Sequence, residues 1–296
     1  MVRPLGVLVG LGFVAALLWS LLFTVISAVK EPTPKTAEQV FHKHPENIAW
    51  TFDGPFGRYD RQQLQRGFQV WKEACAACHS MKLVAFRNLE QIGFSEAEVK
   101  AIAKNWAVEQ PTIDPNTGEA TTRKNLPSDR IPSPYANDVA ARAANNNALP
   151  PDHSLIVKAR EGAADYVHGL LVGYEKQQPA ALLKQFPEAK TPNGLHYNPV
   201  FHSLNIAMAP PLHDEGQVQY APGQPKPTVD QMSRDVTAFL MWAAEPKLEN
   251  RHRAGVSALV FLIIATILAY LAYRNIWADK KPNKYGDGTP QQGVRT

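Results

Sequence analysis

Five consecutive residues, Cys75-Ala76-Ala77-Cys78-His79, constrain this chain more than any other feature. The run C-x-x-C-H is the sequence signature for covalent attachment of a c-type haem. Two thiols three residues apart fit one helical turn, from which they can form thioethers to the two vinyl groups of one porphyrin while the adjacent imidazole reaches the iron. The sequence holds only these two cysteines, which leaves no partner for a further disulfide or a four-cysteine metal site. A zinc site would need two more ligands at finger spacing, and none follows. A thiol–disulfide oxidoreductase would set its C-x-x-C in a βαβ unit, and no Val/Ile-rich strand precedes the motif. Leu64, Phe68, Trp71, Cys75 and Cys78 recur at the spacing of one helical face, which predicts a helix over about 61–78 with both cysteines on its apolar stripe.

The ends of the chain point to a membrane. Ala254 to Tyr273 is a run of 20 residues without a charge, and at about 1.5 Å per residue it matches the roughly 30 Å of a bilayer core. Arg274, Lys280, Lys281 and Lys284 follow it, with Tyr270, Tyr273 and Trp277 placed as interfacial anchors. Arg251 and Arg253 flank the other end, so charge alone votes weakly on orientation; thioether attachment outside the membrane favours an external middle and a cytoplasmic tail. At the N-terminus, Arg3 precedes an uncharged run from Pro4 to Val29, longer than the roughly 7–15 residues of a secretory core. That length favours a retained anchor over a removed signal, and Ile26-Ser27-Ala28 is a poor cleavage site. Residues 30–250 carry 23 Lys/Arg and 25 Asp/Glu, a balance of −2, while the whole chain is +4. A mildly acidic middle lacks the basic stripe of a nucleic-acid-binding domain. The organisation expected is an anchor or signal at 1–29, an external haem domain at 30–250, a transmembrane helix at 251–276 and a cytoplasmic tail at 277–296.

Between the membrane segments the pattern is helical and interrupted. Residues 30–60 read as an extended surface segment in which His42 and His44 lack further ligand types. Ser95 to Glu98 forms a capping box opening a helix with Val99, Ile102, Ala103 and Trp106 on one face. Residues 110–138 and 175–227 read as long loops rich in proline. Between them come an alanine-rich helix, the turn Asn145–Asp152, and a helix capped by Asp152 that carries Ile156, Val157 and Arg160. Periodicity alone makes Arg160 a surface residue, although a guanidinium can pair in bidentate fashion with a haem propionate. Thr228 to Gln231 opens a second capping-box helix with Val229, Met232, Val236, Phe239 and Ala243 on one face.

A haem held by His79 needs a second axial ligand or an open site. Met81 is too near His79 in sequence to reach the opposite face, and Met232 sits on an apolar helical stripe where Met is ordinary core. Met208 lies far along the chain in Asn205-Ile206-Ala207-Met208-Ala209-Pro210-Pro211-Leu212, a segment stiffened by two prolines, and is favoured. Histidines 153, 168, 196, 202 and 213 remain in the field. A His/Met pair suits an electron carrier, because the thioether favours ferrous iron and six-coordination leaves no site for oxygen or substrate.

The stretches RGFQVWKEACAACHSM (66–81), ARAANNNALPPDHSLIVKAREGAADYVHGLLVGY (141–174), NIAMAPPL (205–212) and MSRDVTAFLMWAAEPKLENRHRAG (232–255) together resemble the cytochrome c1 family, in its alphaproteobacterial form, over roughly residues 60–285. The resemblance implies a predominantly all-α, class I c-type cytochrome domain with long irregular insertions and a C-terminal transmembrane helix. It implies one covalent haem c on Cys75 and Cys78 and axial ligands at His79 and Met208. Packing would come from the turn Asn145–Pro151, with Arg160 meeting a propionate and Tyr166 nearby. It implies an electron-transfer subunit of the quinol–cytochrome c oxidoreductase (bc1) complex of a respiratory chain. Such a subunit takes an electron from a Rieske iron–sulfur protein, passes it to a cytochrome c and is anchored by cytochrome b within a dimeric assembly. The location implied is the inner membrane with the haem domain periplasmic. Asn147 stands where this family's turn often has Gly, and Asn tolerates the left-handed conformation required there. A free-standing membrane-anchored cytochrome c shuttle is the alternative.

Overall fold

Glycine at position 67 decides how the core is built. The computed structural model, which describes residues 2–30 and 34–278, packs helix α3 (Arg61–Val70) against helix α8 (Val229–Ala244). At the crossing, a Cβ on Gly67 would overlap the backbone carbonyl of Asp235 and the Cβ of Phe239. Only a residue without a side chain lets the two backbones approach this closely. The apolar faces predicted from spacing meet here, with Leu64, Phe68 and Trp71 buried against Val236, Phe239 and Trp242. An aromatic stack extends the core, Phe68 lying 5.6 Å from Phe239 and Trp71 6.0 Å from Trp106, both centroid to centroid. Arg66 adds a directional bond beside Gly67. Its Nε and Nη2 donate to the two carboxylate oxygens of the fully buried Asp235 at 2.9 and 3.1 Å, and Nη1 donates to Gln224 at 2.7 Å.

The remaining elements surround this pair. Helix α1 (Val2–Lys30) is long, apolar and exposed, and α2 (Ala37–Phe41) is a single capped turn. Helix α4 (Glu96–Lys104) begins at Ser95 with the predicted capping box in place, the hydroxyl accepting from the Glu98 N–H while Glu98 accepts from the Ser95 N–H. Helices α5 (Asp138–Ala144), α6 (Ala163–Val172) and α7 (Ala180–Gln185) follow, and α9 (Leu248–Trp277) runs for 30 residues, roughly 45 Å of helix. Both α1 and α9 are long and apolar enough to cross a membrane. The expected tail, with Lys280, Lys281 and Lys284, lies outside the described residues.

Several expectations are corrected. The stretch 110–138 contains an antiparallel hairpin, β1 (Gln110–Ile113) on β2 (Ala120–Arg123), turned by Asp114 and Gly118. Within 175–227 lie α7 and a second two-stranded ladder, β3 (His196–Tyr197) on β4 (Asn205–Ile206). Among the described residues the fold is therefore mainly helical with two small ladders. The helix expected to reach residue 78 changes to a π-helical turn at Trp71–Cys75, which shifts the phase, so Cys75 is buried and Cys78 is exposed. Asp152 opens no helix; residues 153–162 form successive turns. At α8, Thr228 caps the Gln231 N–H, but the Gln231 side chain donates to Asp235 instead of completing the box.

Substituting Gly67→Ala should separate α3 from α8 and cost at least about 1–3 kcal/mol, as overpacked cores do. Thermal unfolding followed by circular dichroism would read this as a lowered Tm; an unchanged Tm would contradict the close approach.

Candidate haem site

A cavity of about 890 Å³ opens between the π turn that follows α3, helices α6 and α8, and the segments around residues 145–153 and 206–213. Its size lies at the upper end of the roughly 300–1,000 Å³ typical of cofactor sites. Cys75, Cys78 and His79 line it from the end of the π turn, and Met208 lines it from the segment after β4. Residues more than 120 positions apart in sequence thus share one wall-to-wall space, much of it apolar: Val167, Leu170, Ile206, Val236 and Leu240 also face it.

His79 is the best-defined side chain here. It is 8% exposed, and its Nδ1 lies 2.9 Å from the Pro151 carbonyl oxygen. A hydrogen bond of Nδ1–H to that carbonyl fixes the tautomer and leaves Nε2 as the lone-pair donor, the arrangement that orients metal-ligating histidines. Burial pulls the imidazole below its usual pKa, against the opposing effects of Pro151 and Asp152, and so favours the neutral form a metal requires. The proline turn is held in turn by Asp152. Its carboxylate accepts from Ser80 Oγ at 2.7 Å, from the Lys82 N–H at 2.9 Å and from the Ser154 N–H at 2.9 Å. Burial alone would raise this carboxyl, but those hydrogen bonds together hold it below the usual range. Asn146 and Asn147 take φ of 51° and 62°, so the left-handed conformation expected of Asn147 is present and its neighbour shares it.

Cys75 is a poor candidate for thiolate chemistry. No disulfide joins it to Cys78, and burial, with Cys78 close by, pushes the Cys75 thiol up to about 12. Thiol–disulfide oxidoreductases need the opposite shift.

The sequence-selected residues distribute as follows. Asn145 lines the cavity while its side-chain NH₂ donates to Ala141 and Tyr135, bracing the turn. Arg160 is exposed at the cavity edge beside Tyr166, which joins it in lining the space. Among the histidines kept as possible ligands, His168 bonds to Ser233 at 2.9 Å and His202 is exposed, both outside the lining. His153 stacks on His79 itself, so it lies on the same side; His213 contacts Asp214; His196 pairs with Ile206 across the small ladder. His42 Nε2 approaches the Val200 carbonyl at 3.1 Å. Two contributors escaped the sequence reading. Tyr174 donates from its hydroxyl to the Met208 carbonyl at 3.0 Å, and Trp71 donates from Nε1 to His153. Neither spacing nor residue type signals a side chain that works by bonding a backbone atom 34 positions away.

The model of the Cytochrome C1 family matches residues 50–280. The chain belongs to the cytochrome c1 family. Its relatives include the cytochrome c1 of Rhodospirillum rubrum, 43% identical over 240 residues, covering 78% of this chain and 87% of that one. The mitochondrial cytochrome c1 heme protein of Saccharomyces cerevisiae is 40% identical, covering 84% and 77%. A protein of Bradyrhizobium diazoefficiens called cytochrome b/c1 is 44% identical over 79% of this chain, which spans 36% of that longer protein. Membership of the cytochrome c1 family implies a covalent haem c and electron transfer, and α9 is the apolar helix that anchors the chain in a membrane.

The residues fit that cofactor: two thiols without a disulfide, an oriented imidazole and a thioether border one apolar space of suitable size. Replacing Asp152→Asn should cost about 1–2 kcal/mol by weakening three hydrogen bonds at a partly exposed site. A carboxyl held low in the folded state stabilises above the unfolded value near 3.9, and that contribution is lost as pH falls through the folded value. Denaturant titrations should therefore show the variant gap closing below about pH 4; a pH-independent gap would refute this role.

Proposed function

We propose that this chain carries one haem c as the electron-transfer subunit of a quinol–cytochrome c oxidoreductase complex, taking single electrons from a Rieske iron–sulfur protein and delivering them to a cytochrome c. The observation that supports it most is the lining of a single cavity by Cys75, Cys78, His79 and Met208. Two relatives are called cytochrome b/c1 and cytochrome b-c1 complex catalytic subunit, which supports cytochrome b as the membrane partner within a complex. When bound, the haem supplies a one-electron ferric/ferrous couple.

The chain's own groups bind, orient and enclose. Cys75 and Cys78 would hold the haem covalently as thioethers. His79 offers Nε2, its direction set by the Pro151 carbonyl. Met208 offers its thioether from a segment that Tyr174 ties down and prolines 210 and 211 stiffen. Arg160, with Tyr166 beside it at the cavity edge, would pair with a carboxylate of the group, and Asn145 braces the turn that lines the cavity. Apolar side chains exclude water, which keeps the reorganisation on electron transfer small. This role requires no general acid, base or nucleophile of the chain; the enzyme activity belongs to the assembly.

A stationary subunit fits the connection to the membrane better than a shuttle does. Only Glu245–Lys247 separate α8 from α9. The start of α9 is clamped to the domain by Glu249, which accepts from Arg61 at 2.9 Å and the Tyr59 N–H at 3.0 Å, and by His252 against the Gly57 carbonyl at 3.2 Å. A shuttle needs a flexible linker instead. The haem domain, about residues 30–250, lies on the periplasmic side of the inner membrane with the C-terminus cytoplasmic.

Pyridine haemochrome spectra on purified membranes should show covalent c haem co-purifying with b haem and reduced by quinol; c haem purifying alone would favour the shuttle. Met208→Leu should keep the haem attached but lower its potential by roughly 0.1 V or more, within the about 0.8 V over which axial ligands set haem potentials. An unchanged potential would exclude Met208 as the ligand.

A further inference from the structure

His153 has no part in the functions above, yet it touches the most important imidazole in the chain. Its ring lies flat on that of His79, with centroids 3.8 Å apart and planes 17° from parallel. From its own edge it is held by Trp71, whose indole Nε1–H donates to His153 Nδ1 at 3.1 Å. An indole nitrogen can only donate, so His153 Nδ1 is the acceptor and the ring proton is on Nε2. The His153 backbone N–H donates to the Ser80 carbonyl at 2.8 Å, one residue beyond His79. Trp71 is fully buried and stacks on Trp106 at 17°, so the acceptor is held from a rigid part of the core.

These contacts constrain His79 in a way that Pro151 does not. A single hydrogen bond at Nδ1 fixes the direction of one N–H and leaves the ring free to turn about that direction. A flat ring packed against its face removes that remaining rotation. We propose that His153 is a positioning residue that fixes the plane of the His79 imidazole and, resting on the reading that His79 ligates haem c, thereby sets the electronic state of the iron. The plane of an axial imidazole determines which iron orbitals it overlaps, so a freed ring changes both the low-spin ferric spectrum and the potential.

Two substitutions separate the elements of the contact. His153→Gln keeps an acceptor for Trp71 but has no flat ring; His153→Phe keeps a flat ring but has no acceptor. Each is made in the full chain within its native membrane complex, with covalent haem content measured by pyridine haemochrome before anything else. Electron paramagnetic resonance of the ferric haem and its reduced fraction at a fixed ambient potential are then read. His153→Gln should move the principal g-values and change the reduced-to-oxidised ratio by about threefold or more, roughly 30 mV for a one-electron couple. His153→Phe should lie closer to the parent in g-values. Parent-like spectra and ratio in a fully loaded His153→Gln protein overturn the proposal, as does a Phe variant no closer to the parent than the Gln variant. Absence of covalent haem from the parent itself would instead refute the haem reading, a result distinct from either.

Discussion

The approach of α3 to α8 at Gly67 is the constraint on which the rest of the structure depends. Because no Cβ intervenes, the two helices touch backbone to backbone, and their aromatic faces close into one core. The buried Arg66–Asp235 pair fixes the register of that crossing, since a bidentate contact tolerates little sliding along either helix. The haem motif begins where α3 ends, so the place of Cys75 and His79 relative to Val236 and Leu240 of α8 is set by this contact.

From that fixed end the chain builds its site through backbone atoms. Asp152 ties the motif's following residues to the proline turn, and the turn returns a carbonyl to His79. Tyr174 does the same for Met208 from the end of α6. Each candidate ligand is tied to a partner remote in sequence, His79 through its ring and Met208 through its backbone carbonyl. The junction between α8 and α9 is braced in the same way, by contacts from Tyr59, Arg61 and Gly57 to the start of α9.

Much of this was legible in the residues. The helical faces of Leu64, Phe68 and Trp71, and of Val236 and Phe239, are periodic and buried as read. The capping box at Ser95 is local chemistry and appears unaltered. Where reading failed, competing interactions won. Asp152 has the composition of a helix cap but bonds to Ser80 and Lys82, some 70 positions earlier. Gln231 likewise prefers the buried carboxylate of Asp235 to its own helix terminus. The hairpin at 110–123 was hidden because alternation over four residues is too short to separate from a loop.

The sequence by itself determined the covalent motif, the two long apolar segments, the amphipathic helices and the methionine segment, because each is written in residue type and short-range spacing. Tertiary structure alone decided that Met208 and His79 border one cavity, that Pro151 acts through its carbonyl, that Arg160 stands at the cavity edge, and that His153 lies flat on His79. Those contacts join positions 70 to 130 residues apart, and they exist only after α3 and α8 have packed, which no local pattern encodes.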